Sequence, residues 1–99
     1  MTLIQITSKE IKVNGHSGYA EYGKDIVCSA ISTLIEATYN YLKATENIVE
    51  LVEDEAKFEI KLIKTNENGK RIINEFKKMI DDIIEQYPEY VRREYEEIR

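Results

Sequence analysis

Two side chains in this 99-residue sequence occur once each and are chemically reactive: His16 and Cys28. A cysteine thiolate is a nucleophile, and an imidazole in reach can take the thiol proton and later return it. A lone Cys with a His elsewhere fits such a pair, although a lone cysteine also serves as a small buried apolar residue. The surroundings favour chemistry. Cys28 follows Gly23-Lys24-Asp25 and stands in the first turn of the clearest helical pattern in the chain. A helix N-terminus carries about half a positive charge and unpaired amide N–H groups. These stabilise a thiolate and can donate to an oxyanion. At about 100° per residue, Cys28 falls about 90° from the centre of the apolar stripe, at its partly exposed edge. Asp25 and Ser32 share that polar border at helical spacing.

His16 stands between Gly15 and Gly18, in a stretch with no apolar pattern to bury it. Asp25 has two readings. As a helix N-cap it accepts amide hydrogen bonds and stabilises the helix by about 1 kcal/mol. As a third member of a catalytic group it orients an imidazolium. Ser32 packs or hydrogen-bonds locally, or supports the site.

The elements that position these residues follow from the patterning. Thr2–Thr7 and Glu10–Val13 read as strands joined by Ser8-Lys9, and Asn14-Gly15 is a turn signal. Glycines at 15, 18 and 23 favour a mobile loop before the helix. Lys24–Ala44 is helical, with Val27, Ile31, Leu34, Thr38, Tyr41 and Leu42 as its buried stripe. Asn47–Val52 and Lys57–Ile63 form a second hairpin about the acidic turn Glu53-Asp54-Glu55, closed by Asn66–Gly69. A second helix runs from about Lys70 until Pro88 interrupts it, and a last helical piece runs from Glu89 to about Ile98. The expected fold is α+β: a single domain over 1–99 in a ββα-ββα order, its small, mostly antiparallel sheet packed by helices.

Composition narrows the function classes. No apolar run approaches the roughly 20 residues of a membrane span, and the opening residues lack a signal-peptide pattern. A single cysteine excludes an internal disulfide and a Cys-rich zinc site. The chain reads as cytoplasmic, reduced and soluble. Residues 1–45 are neutral overall, so the net charge of −5 lies wholly in residues 46–99. That acidity disfavours nucleic-acid contact and favours a basic partner.

Gly15-His16-Ser17-Gly18-Tyr19-Ala20, with Gly23-Lys24-Asp25-Ile26-Val27-Cys28-Ser29-Ala30 and Ser32, resembles the signature of the ribosomal-processing cysteine protease family, Prp. That pattern is a glycine-histidine-alanine-glycine loop followed by an aspartate-isoleucine-valine-cysteine helix start. Similarity continues to the Tyr87-Pro88-Glu89-Tyr90-Val91 tail, and Ser17 and Ser29 stand where alanine is more usual. The resemblance implies a homodimeric bacterial endopeptidase that removes the N-terminal extension of a large-subunit ribosomal protein. It implies Cys28 as nucleophile and His16 as general base, with Asp25 supporting the pair, Gly15 shaping the loop and Ser32 lining the site. Ser17, Gly18, Tyr19 and Gly23 would belong to a loop closing over bound peptide. No metal or other cofactor is called for. A helix-start thiol would also suit a redox protein, for which the chain supplies no resolving cysteine. An acidic non-enzymatic adaptor for a basic ribosomal partner is the other reading.

Overall fold

The computed structural model describes residues 1–16, 18, 20–21, 25–54 and 57–95. Its elements are β1 (Thr2–Ile6), β2 (Glu10–Asn14), α1 (Ile26–Ala44), β3 (Ile48–Asp54), β4 (Lys57–Lys64), α2 (Glu67–Gln86) and β5 (Val91–Tyr95). They build one five-stranded sheet in the order β3-β4-β2-β1-β5. Every neighbouring pair is antiparallel except β1 and β5, which are parallel. The α+β expectation holds, with one strand more than the ββα-ββα reading contained.

Alternation along the strands creates the core. Ile4 and Ile6 of β1, Ile11 and Val13 of β2, Ile60 and Leu62 of β4 and Val91 of β5 are buried in one cluster. The same cluster takes in Val27, Ile31, Ile35 and Leu42 of α1 with Ile73, Phe76 and Ile80 of α2. Each fully buried side chain of this size contributes about 1.5–3 kcal/mol. The α1 stripe differs in detail from the expected one. Its buried line runs Val27, Ile31, Ile35, Thr38, Leu42, whereas Leu34 is half-buried and Tyr41 is 64% exposed. Leu34 and Tyr41 each lie one residue behind that line, on the flank of the helix, about 100° away.

The largest departures from the sequence pattern are at α2, β3 and the last element. Helix α2 starts at Glu67, because Asn66 is its N-cap and accepts from the Gly69 amide at 2.9 Å. The Asn-Glu-Asn-Gly run is therefore a cap and first turn. Strand β3 continues through Glu53 and Asp54, which the sequence pattern had assigned to the turn; Glu55 lies outside the described residues. The expected last helix is instead β5. Its register against β1 runs from Thr2↔Val91 to Ile6↔Tyr95, and the Thr2 amide donates to the Tyr90 carbonyl at 2.9 Å. Tyr90, Val91 and Tyr95 have helical spacing, but Val91, Arg93 and Tyr95 also alternate. The open edge of β1, with backbone groups to satisfy, decides for the strand.

Two side chains tie the layers together. Asn47, buried where α1 ends, donates from Nδ2 to the Leu42 carbonyl at 3.0 Å and accepts at Oδ1 from the Asn66 amide at 2.8 Å. One side chain thus joins the end of α1 to the start of α2. A Cβ on Gly69 would collide with the Asn47 carboxamide, which explains a glycine inside the first turn of α2. Asp81 of α2 pairs with Arg93 at 3.0 Å and accepts from the Tyr95 hydroxyl at 3.4 Å, holding β5 against the helix. Burial, reinforced by the Asp81 charge, pushes the Tyr95 phenol up to about 12.

Two outcomes are expected. Asn47→Ala should lower stability by about 2 kcal/mol, the cost of its bonds to the Leu42 carbonyl and the Asn66 amide, read as a lower urea midpoint at unchanged slope. Because folding raises the Tyr95 pKa, its contribution to stability is complete below the ordinary value of 10.0 and is lost as pH rises through about 12. A phenolate absorbance titration should show a step near 12 that Tyr95→Phe removes.

Candidate active site

The site forms where four strand ends meet the start of α1. At this end of the sheet β1 begins, β2 ends, β3 ends and β4 begins. Asp25 is the N-cap of α1, in extended backbone geometry (φ −79°, ψ 100°). Its Oδ1 accepts from the amides of Val27 and Cys28, each at 2.9 Å, and the residue is only 6% exposed. A carboxylate tolerates such burial when amide hydrogen bonds replace its lost water. The helix therefore begins one residue after Asp25, with Val27 in the core and Cys28 half-buried at the core's edge.

On the other side, β2 delivers the chain to Gly15 and His16. Gly15 has φ +86°, and a Cβ there would approach the Met1 carbonyl oxygen to 2.6 Å. Its own carbonyl accepts from the Thr2 hydroxyl at 3.5 Å. Glycine is required here twice, for the left-handed backbone and for the close passage over the start of β1. Gly18 shares the left-handed conformation at φ +76°, with open space where a Cβ would lie.

Cys28 and His16 line one groove of about 960 Å³. Asp25, Gly15, Gly18 and Ser32 line the same groove, so the structure brings together every described residue that the sequence had singled out. Ser17, Tyr19 and Gly23 of the expected loop lie outside the described residues. Patterning did not reveal the rest of the lining. Val13, Ile31 and Phe58 add apolar surface, Thr2, Ser29 and Thr33 add hydroxyls, and Glu53 and Asp54 add carboxylates. The signal for the last two was present in the acidity after residue 45, but only strand pairing brings β3 to Cys28.

One expected feature is revised. First-turn amides at an uncapped helix start are open to an oxyanion. The Val27 and Cys28 amides instead donate to Asp25, and the Ser29 amide donates to the Asp25 carbonyl at 3.1 Å. Among the described residues, no group of three His, Cys, Asp or Glu side chains converges to hold a metal ion. No described helix is long and apolar enough to cross a membrane.

Residues 1–92 match the family model described as cysteine protease Prp. The chain belongs to that family. A crystal structure of the essential ribosomal processing protease Prp from S. aureus with a covalently linked product peptide superposes with a TM-score of 0.88. It is 24% identical, and the match covers 97% of this chain and 100% of that one. The same S. aureus protease with a substrate peptide gives a TM-score of 0.78 at 21% identity, over 97% and 100% of the two chains. The protein SMU.848 from Streptococcus mutans gives 0.78 at 28% identity, over 95% and 94%. No curated protein matches the chain. As a Prp-family member this protein is a cysteine protease.

The cap geometry yields a discriminating pair of variants. Asp25→Ala should cost about 1 kcal/mol in urea unfolding, whereas Asp25→Asn, an equally good cap, should stay within about 0.5 kcal/mol of the parent. Asp25→Asn should also keep peptide cleavage. Its loss with stability intact would assign the carboxylate charge a role beyond the cap.

Proposed function

We propose that this protein is a bacterial, cytoplasmic endopeptidase that removes the N-terminal extension of a large-subunit ribosomal protein, with residues 1–99 forming one protease domain. The observation that carries the reading is that the chain's only cysteine and only histidine line a single groove, in a member of a cysteine protease family. The ribosomal substrate is carried over from the S. aureus protease, which has the same fold. A homodimer is part of the reading and comes from the family resemblance.

Cys28 is the nucleophile in this reading, and His16 is the general base. His16 takes the Sγ proton, the thiolate attacks the scissile carbonyl carbon, and a tetrahedral oxyanion forms. The imidazolium returns its proton to the amine nitrogen as the C–N bond breaks, leaving a thioester on Cys28. Water, deprotonated by His16, attacks the thioester carbonyl, and the thiol is restored as the carboxylate product leaves. Asp25 holds the start of α1, and so the nucleophile's backbone, in place. With the Val27 and Cys28 amides committed to that cap, donors for the oxyanion come from the rest of the groove. Ser29, Ser32 and Thr33 supply hydroxyls there, and Gly15, His16 and Gly18 supply backbone amides.

The test is direct. The folded, reduced protein should shorten a purified ribosomal precursor carrying its extension. Cys28→Ala should abolish the cut, and His16→Ala should lower kcat/KM by about 100-fold or more. Intact precursor after incubation with folded, reduced protein would overturn the reading. Loss of cleavage in His16→Ala with undiminished peroxide reactivity of Cys28 would confine His16 to the hydrolytic chemistry.

A further inference from the structure

Glu53 occupies a position where the alternation of its own strand calls for an apolar side chain. Val49, Leu51 and Glu53 pair across the ladder with Leu62, Ile60 and Phe58, the residues of β4 that alternate onto the helix-facing side. Val49 and Leu51 pack against the core, but Glu53 is exposed and lines the groove that holds Cys28. Breaks in binary patterning concentrate at functional positions, because a charge there gives up apolar burial. Phe58, directly across the ladder, lines the same groove. Cross-strand neighbours have Cβ atoms about 4.5–5.5 Å apart, close enough to grip one ligand side chain together.

The charges around the groove are one-sided. Among the described residues that line it, the carboxylates are Asp25, Glu53 and Asp54, and there is no Lys or Arg. Asp25 is committed to the helix cap, and Asp54 has an interaction of its own. Glu53 takes part in none of the ion pairs among the described residues. A carboxylate beside an aromatic ring suits a Lys or Arg side chain, with the head on the carboxylate and the stem or cation on the ring.

We infer that Glu53 is a specificity-determining residue, which with Phe58 selects a basic side chain of the peptide on the β3 side of the cut. The inference rests on the peptide-cleavage reading above and adds to it a subsite and a charge preference. It also gives the acidity of residues 46–99 one defined task at the groove.

The experiment uses peptides spanning the extension junction of the ribosomal precursor, with each position flanking the cut occupied in turn by Lys, Gln or Glu. At one such position the parent enzyme should prefer Lys over Glu in kcat/KM by about five-fold or more at low salt. That preference should fade in about 1 M salt, where screening acts within about 3 Å. Glu53→Gln should flatten the ratio and Glu53→Lys should invert it. A purely structural effect of either variant changes all peptides alike and leaves the ratio intact. Cleavage with no charge preference at any position, or a preference that survives Glu53→Lys, overturns the inference and leaves the protease reading standing. Failure of the folded parent to cut any of the peptides overturns both.

Discussion

The carboxylate of Asp25 decides where α1 begins, and the arrangement of the groove depends on that start. A buried carboxylate is costly unless hydrogen bonds replace its water, and the Val27 and Cys28 amides supply them. Burial and capping are one interaction seen from two sides. It anchors the backbone of Cys28 through the cysteine's own N–H, while Val27, one residue earlier, is locked in the core. The thiol is then left at the border between core and groove. The same bonds remove two first-turn amides from other service. This helix start fixes the Cys28 backbone, and those two amides serve the cap.

The facing wall of the groove is set by the β1–β2 hairpin. Thr7 closes that hairpin, its hydroxyl accepting from the amides of Lys9 and Glu10 at 3.1 and 3.2 Å. With that register, Gly15 passes close over the Met1 carbonyl and hands the chain to His16. Farther away, Asn47 joins the end of α1 to the start of α2, so both helices lie on the sheet as a unit. The strand ends and helix start are thereby held in fixed relation.

Much of this was legible because it is local. Alternation in Ile4, Ile6, Ile11 and Val13 is a property of neighbouring residues, as is the 3.6-residue spacing of α1. The cap residue, the glycines and the helix-start cysteine also need no partner to be recognised. The reading failed where a distant element arbitrated. Residues 91–95 carry both helical and strand spacing, and the open edge of β1 selected the strand. Glu53 and Asp54 read as a turn by composition, yet pairing with Phe58 and Lys57 continues the ladder through them. Tyr41 had the right spacing for the stripe, but the contact face of α1 lies one residue over.

The sequence by itself determined that Cys28 stands at the start of a helix and His16 just past a glycine turn, because residue type and short-range spacing suffice for each. It determined as well that the chain's acidity lies after residue 45, away from that motif in sequence. Only the tertiary structure decided that Cys28 and His16 share a groove, and that Glu53 and Asp54 from the acidic half reach it. The physical reason is that strand order is a long-range property. The ladder seats β4 beside β2 and β3 beside β4, and no local pattern records which edges will pair.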